Sequence, residues 1–247
     1  MNMKLLIAVV FGAGMLALAG CATVSTGYEG TGGLPEQSID RRRRRRRLRR
    51  RRRPTNRPLR HPHPPPPPEL LIQALAWEDG SAERAGWSAE LRTQIANNLT
   101  SLSKASDMAS FCPAYASLSK DQKVEVLANL MVGIARYESN YDPHTVYHEP
   151  PPLGVDSVGL FQLSYEDGYS WCTLDRNARS LEDPVNNIRC AVPKMTRLVA
   201  KDKVLAAGST NANALGLARY WSVMRLGPGH HIADIRAITT GMAVCAG

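Results

Sequence analysis

The sequence predicts a mostly α-helical, single globular domain preceded by a long disordered linker. Three observations carry that expectation. Beyond position 69, apolar residues recur at steps of three and four, the spacing of one face of an amphipathic helix. No segment alternates apolar and polar residues as a half-buried strand does. Residues 22–68 are dominated by Gly, Thr, Arg and Pro, a composition that cannot build a packed core.

The chain opens with Met1 to Lys4, a short positive start, followed by the almost wholly apolar run Leu5 to Ala19. That is the layout of a secretory signal peptide, and the run is short for a membrane-spanning helix, which needs roughly 20 residues. It closes on Leu18-Ala19-Gly20-Cys21, which resembles a bacterial lipobox. The resemblance implies loss of residues 1–20, a lipid on Cys21, and display on the periplasmic face of a bacterial membrane. Ala22 places no acidic residue after the cysteine, which in two-membrane bacteria implies sorting to the outer membrane.

Residues 21–68 read as a tether. Twelve arginines lie between Arg41 and Arg53, and His61 to Pro68 is almost all proline. Like charges extend the chain, and prolines favour polyproline II at about 3.1 Å per residue, so residues 22–68 could reach on the order of 140 Å. The segment is either a plain spacer or a spacer whose arginines also touch anionic polymers or lipid head groups. The formal charge of +9 belongs to this segment. Residues 69–247 carry 16 Lys and Arg against 19 Asp and Glu, a net −3. A high pI therefore does not predict a nucleic-acid partner here.

The remaining 179 residues suffice for one domain. Glu69 to Trp77 is a short apolar run. Trp87, Leu91, Ile95, Leu99 and Leu102 then mark one helix face. Ser119 followed by Gln122 is a capping-box start, and Val124, Leu127, Met131 and Ile134 continue as one stripe to about Ser139. Four prolines and a glycine make 143–157 a loop. Further helices are expected at Val185 to Lys201, at Asn211 to Met224 and near the C-terminus. Apart from Cys21 there are four cysteines, an even number that suits disulfides in an exported protein. No spacing suggests a metal site, and no cofactor is implied.

Glu138 stands out by its phase. It follows Ile134 by four residues and Met131 by seven, which places a carboxylate on the apolar side of its helix. Burial there would raise its pKa and keep it protonated at neutral pH, as a general acid for glycosidic bond cleavage requires. Phase alone leaves this reading open beside that of an ordinary helix-terminal Glu.

The neighbouring residues add to it. Arg136-Tyr137-Glu138-Ser139-Asn140-Tyr141-Asp142-Pro143 is followed by Ser157-Val158-Gly159-Leu160-Phe161-Gln162-Leu163-Ser164. This pair resembles the Glu-Ser and Gly-Leu-Met-Gln motifs of the soluble lytic transglycosylase family, whose fold is that of goose-type lysozymes. Asp183-Pro184-Val185-Asn186-Asn187-Ile188 resembles its Asp-Pro-x-x-Asn-Ile helix start, and Ala218-Arg219-Tyr220 falls where the family has Ala-Tyr-Asn-Ala-Gly. The resemblance covers about 120–225. It implies a lysozyme-like domain over 69–247 that binds peptidoglycan glycan strands and cuts between N-acetylmuramic acid and N-acetylglucosamine. Glu138 would protonate the leaving oxygen and then act as base while the sugar's own C6 hydroxyl attacks. It further implies substrate-lining roles for Ser139, Ser157, Gly159, Gln162 and Tyr220.

The chain departs from the family in reading Trp221-Ser222-Val223 after Tyr220. Trp221 could offer a stacking face to a sugar. Glu149, Asp156, Glu166 and Asp167 could each supply the second carboxylate of a hydrolytic muramidase. A wall-binding lipoprotein without turnover is a third reading. His144, His148, His230 and His231 have no spacing that makes a dyad. Cys172 lies just after the Gly159–Gln162 segment and Cys190 early in the next helix, while Cys112 precedes the Glu138 helix and Cys245 is near the chain end. These positions predict Cys172–Cys190 and Cys112–Cys245 pairs. The lipobox yields a separate expectation: a Cys21→Ser protein should lose lipid labelling and leave the membrane fraction. Unchanged membrane association would assign anchoring to the Arg run or an uncleaved leader.

Overall fold

A computed structural model describes residues 73–151 and 153–246. The leader, Cys21 and the tether lie outside the described residues. The described residues form one helical core with four α-helices, α1 (Ala82–Leu102), α2 (Lys120–Ser139), α3 (Pro184–Asp202) and α4 (Ile232–Thr240), joined by short 3-10 turns and two small hairpins. No helix among them is long and apolar enough to cross a membrane.

Helix α2 is the centre. Ser119 and Gln122 form the expected capping box, with Gln122 N–H donating to Ser119 Oγ at 3.3 Å and Ser119 N–H to Gln122 Oε1 at 2.9 Å. The helix is buried on almost every side, from Val124 to Ala135, with only Asn129 half-exposed in that run. A helix apolar all round is a core helix, so the single stripe read from sequence understated its environment. Helix α1 packs on one side and α4 on another. Gly133 lets α4 approach, since a Cβ there would meet Ile238 at 3.2 Å and Ile235 at 3.4 Å. Arg92 of α1 forks onto the buried Glu125 of α2 at 2.7 and 3.0 Å, a bidentate pairing that offsets the cost of burying that carboxylate.

The apolar run before α1 is used as core. Leu75 and Trp77 are buried, and Trp77 donates its indole N–H to Ser88 Oγ at 2.8 Å while its ring meets Trp87 and Phe161 edge-on. Helix α3 begins as its sequence suggests. Asp183 caps it, accepting Asn186 N–H at 2.6 Å, and Pro184 fills the first turn, where no donor is needed.

Two sequence expectations are corrected. The expected loop at 143–157 contains a hairpin, β1 (Val146–His148) against β2 (Asp156–Val158), with Tyr147 opposite Ser157. Asn211–Met224 is not a helix. Its backbone forms β4 (Leu215–Gly216), paired with β3 (Ala206–Ala207), and then two 3-10 turns. Turn chemistry overrides the apolar spacing there. Gly216 has φ +58° against the Leu205 and Val204 carbonyls, and Asn213 Oδ1 accepts the Ser209 and Thr210 N–H groups at 2.9 Å.

The disulfides are Cys112–Cys245 and Cys172–Cys190, the two pairs expected. They span 133 and 18 residues. Loop-closure entropy gives about 5 kcal/mol for the first and about 3 for the second. The Cys112→Ala/Cys245→Ala protein should therefore unfold at lower denaturant than the Cys172→Ala/Cys190→Ala protein. The reverse order in urea melts would show that local strain or packing outweighs loop length.

Candidate functional site

The site is assembled where the C-terminal end of α2 meets the 158–164 loop. Glu138 sits in the last turn of α2 and is half-buried. The helix ends on Asn140 in the left-handed region at φ +51°, followed by Tyr141 at +66°. Asn tolerates that conformation and Tyr does not, so the turn is held by its surroundings. The next residue, Ser139, is buried, and its hydroxyl proton is shared between Ala135 O at 3.2 Å and Leu160 O at 3.0 Å. Ser139 thus fastens the end of α2 to the loop through backbone carbonyls.

Gly159 and Gln162 shape that loop. Gly159 has φ +77°, and a Cβ there would lie 2.3 Å from Leu181 O and 2.4 Å from Asn187 Nδ2. Gln162 also has positive φ, +46°, and its amide donates to Thr145 O and Gly159 O, both at 3.0 Å. The buried carboxamide of Asn187 organises the whole turn. It accepts Phe161 N–H at 3.1 Å and donates to Val158 O at 3.1 Å and Leu181 O at 2.8 Å. Its sequence signal is the Asp183-to-Ile188 run, which by itself gives Asn187 no role.

Ser157 donates to Glu149 Oε1 at 3.1 Å, and Glu149 is buried at 4% exposure beside the hairpin. Of the other acidic residues weighed as a second carboxylate, Asp156 is hydrogen-bonded to His148 and Arg176, both at 2.9 Å, and these hold its carboxyl below the usual range. Glu166 is paired with the same Arg176. Asp167 is committed elsewhere: its Oδ2 accepts from Tyr220 Oη at 2.6 Å, from the Tyr169 hydroxyl, from Lys194 Nζ at 3.1 Å and from Ser164 N–H at 3.2 Å.

Tyr220 lies against this cluster and interacts electrostatically with Glu138. Burial, and then the Asp167 charge, push its phenol well above the ordinary value, so it stays protonated. Arg225 is a charged neighbour of Glu138. It is buried, its Nε donates to Ala218 O at 3.0 Å, and desolvation lowers its pKa against the opposing pull of Glu138. No sequence feature singled out Arg225, Lys194 or Tyr169. Trp221 is not a sugar platform: it is 1% exposed and donates its indole N–H to Phe161 O at 2.9 Å. His144, His148 and His231 pair with Glu182, Asp156 and Asp234 at the surface, and the His231 ring also stacks on Tyr137. Among the described residues no group of three or more His, Cys, Asp or Glu could hold a metal ion.

A helical core with a half-buried Glu at the end of its central helix, set against a glycine-hinged loop, is a lysozyme-like domain. Residues 116–219 match the family described as Transglycosylase SLT domain. Among solved structures, Bd0314 DslA in a wild-type form is 29% identical with a TM-score of 0.59, over 70% of this chain and 98% of that one. Two variants of Bd0314 DslA, each with one Glu replaced by Gln, match at 28 and 29% identity with TM-scores of 0.59 and 0.58, over 70% of this chain and 97% of theirs. The two substituted positions lie eleven residues apart in that protein. No curated protein matches the chain. The match supports a domain of the lytic transglycosylase type, acting on peptidoglycan.

The Gly159 turn gives a direct test of this geometry. Gly159→Ala must push apart Leu181 O and the Asn187 amide at a positive φ, costing about 3 kcal/mol, or a fall of roughly 6–12 °C in Tm. An unchanged melting temperature would mean that the turn relaxes freely and does not hold the loop.

Proposed function

We propose that this protein is a lytic transglycosylase that breaks the bond between N-acetylmuramic acid and N-acetylglucosamine without water, with Glu138 as acid and then base. The observation that carries the reading is the position of Glu138. It is half-buried at the end of the core helix, electrostatically coupled to the Tyr220 phenol and the Arg225 cation, and beside the Gly159–Gln162 loop. Protonated Glu138 gives its proton to the glycosidic oxygen as the C1–O bond breaks. The resulting carboxylate takes the proton of the C6 hydroxyl as O6 bonds to C1, leaving a 1,6-anhydro end and a regenerated acid. The nucleophile is part of the substrate, so its effective concentration is high and one carboxylate suffices.

A second reading is hydrolysis, with Glu149 as the added carboxylate. It is supported by the burial of Glu149 and by its spacing: Glu138 and Glu149 are eleven residues apart, as are the two substituted glutamates of Bd0314 DslA. Around this core we read Cys21 as a lipid anchor, probed by the Cys21→Ser protein, residues 22–68 as the spacer to the wall, and Arg41 to Arg53 as a contact for anionic polymers. In a two-membrane cell this places the domain beneath the outer membrane.

Mass analysis of sugars released from purified peptidoglycan tests the reading. Anhydro ends are expected; reducing ends would select hydrolysis, and no release would select a binding protein. Glu138→Gln should lower release by at least the roughly 10²–10⁴-fold typical of acid–base catalysis while binding persists. Near-normal turnover by that variant would refute the mechanism. Glu149→Gln should retain anhydro formation on the first reading and lose turnover on the second.

A further inference from the structure

Behind Tyr220 stands a cluster of charged and phenolic groups that the single-carboxylate mechanism leaves unused. Asp167 and Lys194 are 18% and 14% exposed at the side chain, and Nζ lies 3.1 Å from Oδ2. The same ammonium sits 3.3 Å from the centre of the Tyr220 ring and 4.8 Å from that of Tyr169. Burying four such groups is costly unless each is satisfied, and here one carboxylate oxygen satisfies three of them. The direction of the Tyr220 hydrogen bond matters. Asp167 can only accept, so Tyr220 must donate its one proton to it at 2.6 Å. The phenol oxygen then has only lone pairs left to offer Glu138 or a sugar hydroxyl.

We propose that Asp167 and Lys194 are positioning residues for glycan cleavage: Asp167 takes the Tyr220 proton, so that Tyr220 presents an acceptor to protonated Glu138, and Lys194 balances the Asp167 charge. The inference rests on Glu138 being the acid. A free Tyr220 proton would be donated to the Glu138 carboxylate and would favour the ionised, inactive form. With the proton held by Asp167, Tyr220 favours the protonated form instead. Lys194 limits the effect. Burial lowers its pKa to about 8, with Asp167 pulling the other way, so below that pH it stays charged and offsets Asp167.

The groups coupled to Glu138 include Tyr220 and Arg225, with Asp167, Lys194 and Tyr169 behind the former, His230 near the latter and His231 near His230. Tyr169 and Tyr220 are pushed up and stay neutral. His230 is pushed down by burial, Arg225 and His231, so it is uncharged across the alkaline range. The alkaline limb of kcat/KM therefore reports loss of the Glu138 proton, with any contribution from Lys194 above about pH 8.

The two variants should move that limb in opposite directions. In Asp167→Asn a negative charge is lost and the Tyr220 proton is less firmly held, so ionised Glu138 gains and the limb shifts down by about 0.5 pH unit. In Lys194→Met the Asp167 charge stands unbalanced, protonated Glu138 gains, and the limb shifts up by a similar amount. A purely structural cluster would lower activity and Tm without opposed shifts. Folding is checked by Tm, and if Asp167→Asn does not fold, the upward shift of the half-buried Lys194→Met decides alone. Unmoved limbs, or shifts of the same sign, in variants that still cleave soluble glycan fragments would overturn the inference. Failure of the underlying reading looks different: the unsubstituted protein would release no sugar, or Glu138→Gln would retain turnover.

Discussion

The fully buried carboxamide of Asn187 is the constraint on which the site depends. One side chain accepts Phe161 N–H and donates to Val158 O and Leu181 O, so it joins the start of α3 to both ends of the loop. An amide buried this deeply is tolerated only because its donors and acceptor are matched. Gly159 has no side chain because the Asn187 amide occupies that space. Asp183 and Pro184 set where α3 begins and hence where Asn187 falls. Ser139 then ties the same loop to the end of α2 through Leu160 O, so Glu138 is carried by a helix whose end is anchored to that loop.

Strain and charge concentrate around that junction. Asn140, Tyr141 and Gln162 all have positive φ. Such backbone persists where surrounding contacts over-determine it, and here the contacts are Ser139 to Leu160 and Gln162 to Thr145. Electrostatically, Glu138 stands between two unlike neighbours. One is the Arg225 cation, and the other is the neutral Tyr220 phenol, whose proton goes to Asp167.

The acidic residues of the region divide by their partners. Asp156 and Glu166 are occupied by Arg176 at the surface, and Asp167 is the hub of the tyrosine and lysine cluster. Glu149 is the buried exception, held by Ser157 beside the hairpin. On the proposed reading, that division leaves Glu149 as the acidic residue to weigh beside Glu138.

Much of the domain was legible in the chain itself, because its signals are local. Helical spacing of Trp87 to Leu102, the Ser119–Gln122 box and the Asp183-Pro184 start placed α1, α2 and α3, and the motif pair around Glu138 and Gly159 marked the candidate site. The hairpin at Val146–Val158 and the 205–224 region differ from the sequence expectation because their structure comes from short-range pairing and close backbone approach, as at Gly216 against Leu205 O, which no apolar period marks. Trp221 looked like a sugar platform and is core, since apolar character alone does not say which way a ring turns. By itself the sequence determined where helices start, which cysteines have partners within reach, and which Glu lies on an apolar face. The tertiary structure alone decided what surrounds that Glu: Arg225, Lys194 and the Asp167 hydrogen bonds come together from separate elements, and a charge's neighbours across a fold leave no periodic trace along the chain.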